Sequence, residues 1–526
     1  MLSPAPTALV VDAGTTAVKA AVVAGDGRVL GGGSAGLTTA HPGPGRVEQH
    51  PDDWWRGFVG AVRQAVSAVS AGGSVDALCV TGQMQDCVPL DADGEPVRPA
   101  LLYADQRAVA ELGALDARFG ADWHRAAGNV GDAASTAAQL LWLRRHEPET
   151  PRRARRLLLG APGYLLHRAG GRAAVDLTTA STTGLLDIRA RDWWSPMLHE
   201  LSLDPDTLPE LVAPGSPVGV LAPGPAGELG LPAGLPLIHA AGDAGAVTDG
   251  LVGAEPGATN ISLGTSGWVA ALTSRPGEPD PALHQLIGAD GRSTLLIGAL
   301  LSAGATVDWA RRTYLPGADH AAADRAAADA GPTGLLMLPS LVGERSPVRD
   351  PDATGAVVGL RATTTAAQLY RAAMEGVAYS LRHVLALLAP RLPARNGPIP
   401  LSGGAARSPV FQQIIADVLD CPVCPVPDAH AAEAGLRGAH RAAASALGEP
   451  VPPPLAGAAH SGAGLSAAGL SDAGLSDAGL ADARPTGAGQ VTVCAPGPAR
   501  EHYARLADAH AGLWTALAPT FRSQRP

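Results

Sequence analysis

Two stretches of this 526-residue chain, about 250 positions apart, follow one pattern. "VVDAGTTAVKAAVV" covers 10–23 and "GATNISLGTSGWVAAL" covers 257–272. Each reads as an apolar strand, a turn of glycine and hydroxyl residues, and a second apolar strand. A third run follows each pair, "RVLGGGSAGL" in one case and "STLLIGAL" in the other. The repeat implies two similar α/β domains, each offering a hydroxyl-rich hairpin turn to a shared cleft. Asp, Gly and Thr are ordinary turn formers, so a plain hairpin is one reading of each turn. The other is an anion site: N–H groups of a glycine-containing turn can cradle a phosphate, and Asp12 can hold its magnesium through water. Two such turns on opposing domains would suit a nucleoside triphosphate held between them.

A chain of this length exceeds one ordinary domain, and 46% hydrophobic residues suffice for two cores. The net charge of -10, without an arginine-rich tract, argues against a nucleic-acid surface. Lys19, inside the first hairpin, is the sole lysine. Cys79, Cys87, Cys421, Cys424 and Cys494 are too few for a disulfide framework, and the lone C-x-x-C at 421–424 lacks further zinc ligands, so structural thiols are expected. His239, His284, His430 and His440 have no metal-ligand spacing. The first residues lack the basic and apolar regions of a signal peptide, and no run of 18 apolar residues occurs. A cytoplasmic protein without membrane contact is expected.

"PDDWWRGFVGAVRQAVSAV" has helical apolar spacing after Pro51, and "TAAQLLWLRRHEP" is a second helix stopped at Pro148. "VDALCVTG" is a buried strand, with "QMQDCVPL" as the loop beyond its C-terminal end, where open α/β sheets bind ligands. Residues 453–490 repeat with a five-residue period that fits neither helix nor strand, and their Ala/Gly/Ser content reads as a flexible insertion. The final segment is amphipathic and is expected to pack back as a helix.

Asp243, in "LPLIHAAGDAGAVTDG", follows an apolar strand between two small residues. It can serve as a general base for an attacking hydroxyl, or simply cap a helix; both readings stay open. "LPLSGGAARSPVF" sets Ser402, Gly403 and Gly404 between a strand and a helix, either as a plain turn or as a backbone approach to a nucleotide. Asp105, Gln106 and Arg107 form one polar loop; Glu344, Arg345, Arg349, Asp350 and Asp352 form another. Each is a surface turn or a lining for a polyhydroxylated substrate.

Taken in order, "DAGTTAVKA", "VEQHPDDWW", "TGQMQDCVPLDADGEPVRPALLYADQRA", "GDAGAV", "SLGTSG", "SAGATVDW", "GERSPVRDPDATGAVVGL" and "LSGGAARSPVFQQIIADVLDCPV" resemble the FGGY family of carbohydrate kinases over about residues 8–447. The resemblance implies an α/β fold of two ribonuclease-H-like domains, of the actin and hexokinase type, around a central cleft. A sugar-binding domain would span 1–249 and a nucleotide-binding domain 250–452, followed by the insertion and a C-terminal helix within 491–526. It implies transfer of the ATP γ-phosphate to a sugar hydroxyl with Mg2+, D-xylulose being the first expected acceptor and another ketose or a polyol the alternative; an inactive sugar-binding relative is a third reading. Asp243 falls at the catalytic aspartate, and Asp12 at the magnesium position. Thr15, Thr16, Gly264, Thr265, Gly304, Asp308, Gly403, Gly404 and Ser408 fall around ATP. Met84, Gln85, Asp105, Gln106 and Ala244 fall around the sugar. A homodimer remains open. The chain departs from the family's usual Gln-Met-His-Gly at Gln85 and Asp86, and from its usual Asp-Asn at Ala244, so the identity of the sugar depends on altered positions.

Overall fold

The computed structural model describes residues 6–69, 74–393, 397–456 and 493–523. Most of the low-complexity stretch, 457–490, lies outside them.

A six-stranded sheet organises the first domain. Its strands are β1 (Ala8–Ala13), β2 (Ala17–Val23), β3 (Val29–Gly36), β4 (Ala77–Gly82), β5 (Ser216–Val220) and β6 (Pro236–His239), in the order β5-β6-β4-β1-β2-β3. The run β1 to β3 is antiparallel, whereas β4 joins β1 in parallel and β6 joins β4 in parallel. The second domain repeats this plan with β7 (Thr259–Leu263), β8 (Gly267–Thr273), β9 (His284–Ile287), β10 (Thr294–Leu300), β11 (Ile399–Gly403) and β12 (Val423–Pro425), ordered β9-β10-β8-β7-β11-β12. Here too β7, β8 and β10 are antiparallel neighbours while β11 and β12 add in parallel. The hairpin repeat in the sequence is therefore a repeat of whole sheets, each with one extra edge strand, β5 or β9.

Local chemistry sets the elements. Helix α1 (Pro51–Ser67) begins with Pro at its first position and carries Asp52 and Asp53 in its first turn, which suits the positive end of the helix dipole. Its apolar face buries Trp54, Trp55, Phe58 and Val62 in the first core. Burial of such a side chain contributes about 1.5–3 kcal/mol.

Helix α2 (Asp243–Val252) follows β6, and α3 (Gly304–Tyr314) follows β10. Helix α4 (Ala366–Leu388) starts with a reciprocal capping box between Thr365 and Gln368. It packs in the second core with α5 (Pro409–Leu419). Helix α6 (Asp428–Ala446) comes late in the chain, yet its Ala434, Leu436, Ala439 and Ala443 share a core with Val10, Cys79, Ile238 and Leu251. A contiguous division at 249 and 250 thus leaves α6 against the first sheet. The last helix, α7 (Arg500–Ser523), packs back as expected, burying Tyr503, Trp514 and Phe521.

Two segments differ from the sequence reading. Residues Cys87–Leu90 are a strand of a four-stranded sheet rather than part of a loop, because neighbours on both sides supply pairing that Pro89 obscures. The edge strand β9 was not expected. None of the five cysteines is in a disulfide, and Cys79, Cys87, Cys421 and Cys424 are buried.

Candidate active site

Strand ends and turns bring the first set of groups together. Asp12 lies one residue before the end of β1, opposite Lys19 in the β1–β2 register. The turn beyond it is braced: Thr15 donates its hydroxyl to Gln83 Oε1 at 3.0 Å, and Gln49 Nε2 donates to the Thr15 carbonyl at 2.7 Å. Gln49 Oε1 in turn accepts from Gln83 Nε2 at 3.0 Å and from the Trp54 indole at 2.7 Å. This network fixes the turn while leaving Thr16 exposed at its tip.

Helix α2 aims Asp243 at the same place. Asp243 is its first residue and Gly242 is the cap, so the capping alternative does not hold in its simple form. Asp243 Oδ1 accepts the Ala244 N–H at 2.7 Å. Withdrawal from water pushes the Asp243 carboxyl up to about 7; Asp12 beside it pushes the same way, the Ala244 N–H opposes this, and Asp176 adds to the rise. Burial likewise raises Asp12, with Lys19 offsetting it. Asp86 is fully buried, and burial followed by the Asp243 charge holds its carboxyl well above the ordinary carboxylate range, with the Tyr103 and Ala161 N–H groups opposing.

Acids crowded in this way attract a cation. Helix α6 passes so close that a Cβ on Gly435 would fall 2.6 Å from Asp12 Oδ2, so glycine keeps that flank of the carboxylate open. No cluster of three His, Cys, Asp or Glu suited to direct metal ligation occurs among the described residues. One or two carboxylates without a full cage suit magnesium, which keeps several of its waters.

Two cavities gather the other predicted groups. One, of about 740 Å³, is lined by Gly264, Thr265, Gly304, Asp308, Gly404 and Ser408, all from the second domain. Backbone bonds sew the turn after β7 to the start of α3: Gly304 N–H reaches Gly264 O at 2.9 Å, and Ala305 N–H reaches Thr265 O at 3.0 Å. Arg311 holds Asp308 below the ordinary carboxylate range by a hydrogen bond and its charge. Ser408 caps α5 through the Phe411 N–H at 3.2 Å, and Gly403 ends β11. Apolar Val307, Met374 and Phe411 complete a wall that a flat ring can lie against.

The other cavity, of about 280 Å³, lies between the domains, with Gln85, Gln106, Asn129 and Asp132 from the first and His284 and Arg345 from the second. Gln85 has φ of +71°, a conformation few non-glycine residues adopt, and its carbonyl accepts from Thr136 Oγ1 at 3.2 Å. Burial, then the Arg345 charge, lowers His284 to about 4, with Asp132 opposing, so the ring is neutral at pH 7.

The sequence-predicted residues divide accordingly. Asp12, Asp243 and the Thr15–Thr16 turn form the centre, while Gln85 and Gln106 face the smaller cavity. Asp105 is wholly buried and is bonded to the Val47 N–H and Arg107, which makes it a brace for the loop. Met84 and Ala244 sit in the apolar seam between domains, with Leu286 and Ile297. Glu344 is also a brace, accepting from Leu301 N–H and Ser340 Oγ, and Arg349 reaches across to the Gly131 carbonyl. Sequence reasoning passed over Asp176, named Asp86 only as a departure beside the sugar, and gave Arg345 as one of a loop of candidate lining residues.

Two repeated sheets around a cleft, with a carboxylate-bearing hairpin on one side and a large cavity on the other, define a two-domain ATPase of the actin and hexokinase type. The chain belongs to the FGGY family of carbohydrate kinases: the model of the family's N-terminal domain matches residues 7–248 and that of its C-terminal domain matches 259–447. A xylulose kinase of Escherichia coli K12 is 34% identical over 78% of this chain and 84% of its own length. One from Streptomyces rubiginosus is 36% identical over 78% and 82%. The crystal structure of a xylulose kinase from Rhodospirillum rubrum superposes with a TM-score of 0.83 at 25% identity, covering 98% of this chain and all of that one. The chain is an ATP-dependent carbohydrate kinase.

Proposed function

We propose that the acceptor is D-xylulose and that the phosphoryl group is delivered to one of its hydroxyls with Mg2+. Asp243 carries this reading, being an acid withdrawn from water and tuned near neutrality beside Asp12 at the start of α2. As general base it takes the hydroxyl proton while the oxygen forms its bond to the γ-phosphorus and the bond from that phosphorus to ADP breaks. The turns at Thr15–Thr16 and Gly264–Thr265 present N–H and hydroxyl donors to the phosphates. Gly304, Asp308, Gly403, Gly404 and Ser408 hold the rest of the nucleotide. Asp12 would hold magnesium through water, and the bound ion would offset phosphate charge. Gln85 and Gln106 pair sugar hydroxyls.

The xylulose kinases among the relatives support this acceptor. A second reading keeps the chemistry and changes the acceptor to another ketose or a polyol; it is favoured by Gln85, which stands where the family's xylulose kinases usually have an imidazole. ADP formation measured with D-xylulose, D-ribulose, erythrulose and ribitol separates the two. The highest kcat/KM is expected with D-xylulose, and a higher value with any other acceptor overturns that assignment.

A further inference from the structure

Asp176 is fully buried, lies in the first domain, and ends the short strand Ala174–Asp176. Its Oδ1 accepts three N–H groups. Two, from Thr178 at 2.9 Å and Thr179 at 3.1 Å, are the ordinary cap of the helical turn Leu177–Ala180. The third comes from Gly242 at 3.2 Å, 66 residues away and adjacent in sequence to Asp243. Gly242 caps α2 but has no side chain with which to do it, so Asp176 supplies a tie from outside the helix.

Packing closes the other side of this residue. A Cβ on Gly242 would fall 2.3 Å from Met84 Cγ and 2.7 Å from Thr179 Oγ1. Any side chain at 242 would have to push Met84 and Thr179 aside, so the peptide before Asp243 is packed between Met84 and the Asp176 turn. His239 stands behind, with Nδ1 3.8 Å from Asp176 Oδ2 and bonded instead to the Ala240 carbonyl at 2.9 Å. It closes the pocket without taking over the oxygen that holds Gly242.

We propose that Asp176 is a positioning residue whose carboxylate clamps the peptide carrying Asp243 and so fixes the direction in which the base meets the sugar hydroxyl. The proposal rests on the reading of Asp243 as that base. Misplacing a reacting group by about 1 Å can cost roughly 100-fold in rate, so a clamp remote from the substrate has a measurable effect.

Asp176→Ser separates the clamp from the cap. Serine caps the Leu177–Ala180 turn well but is one atom too short to keep Gly242. Asp176→Asn retains an acceptor at the full distance. Expected for Asp176→Ser is a fall in kcat of about 10- to 100-fold, with KM for ATP and sugar within about twofold. Asp176→Asn should restore kcat to within about threefold of the parent. The proposal is overturned by a folded Asp176→Ser with near-parental kcat, by a loss residing in KM, or by an Asn variant as impaired as the serine one. Should Asp176→Ser fail to fold, Asp176→Thr decides by the same criterion, since its hydroxyl likewise caps the turn and likewise falls short of Gly242. Asp243→Asn is assayed alongside. If it keeps parental turnover, the base reading fails; if it is inactive while the clamp variants are unimpaired, only the clamp fails.

Discussion

At the scale of residues, Asp243 illustrates how position converts an ordinary acid into a useful one. A carboxyl near pH 7 spends about half its time as the base form at neutral pH, and that form is lost as pH falls. The expected kcat/KM profile therefore drops about tenfold per unit well below pH 7, whereas an aspartate at its ordinary value would leave the range from 5.5 to 8.5 flat. Gln85 permits a second prediction. Histidine tolerates a positive φ better than most residues, so Gln85→His fits the backbone and restores an imidazole to the sugar cavity. A regained hydrogen bond is worth about 1 kcal/mol, so kcat/KM for D-xylulose relative to other acceptors should rise roughly fivefold. A fall in that preference would mean that the glutamine is itself the discriminating group. Asp12 and Thr15 were legible because turn chemistry is local, and Asp243 was legible as one of two alternatives. Asp176 was not: its distinguishing neighbour, Gly242, lies 66 positions away in sequence.

Among elements, the two hairpins and their third strands could be read because β-branched runs and Gly-Thr turns lie side by side. Strand β9 escaped because "HQLI" is short and half polar, although the Asp290-Gly291 turn that links it to β10 is a hairpin signal. Helix α7 was legible from its amphipathic pattern, but its buried polar tie was not. Tyr503 OH donates to Glu375 Oε1 at 2.8 Å and accepts from Arg371 at 2.9 Å, with Arg371 also bonded to Glu375 at 2.9 Å. Removing the ring empties a fully buried site and leaves that ion pair short of a partner. Tyr503→Ala should cost about 3–5 kcal/mol, measurable as a lower urea midpoint; an unchanged midpoint would show that α7 adds nothing to the second core.

Across the whole molecule, function depends on two sheets of common plan meeting at one seam. The seam is crossed by α6, which returns from the second half of the sequence to pack on the first sheet, and by Arg441, whose guanidinium bonds Asp249 at 2.8 Å. Linear sequence could show the repeat but not this crossing, because helix periodicity does not reveal which sheet a helix will cover. The central question is whether phosphoryl transfer across the seam uses Asp243. The direct measurement is ADP formation by the parent and by Asp243→Ala, with ATP and Mg2+, in the presence and absence of D-xylulose. Sugar-dependent ADP formation is expected in the parent, equal in amount to the sugar phosphate formed. Asp243→Ala should lose about 10²- to 10⁴-fold in turnover with ATP binding retained. Sugar-independent ADP formation, or a variant turning over at the parental rate, would contradict these expectations.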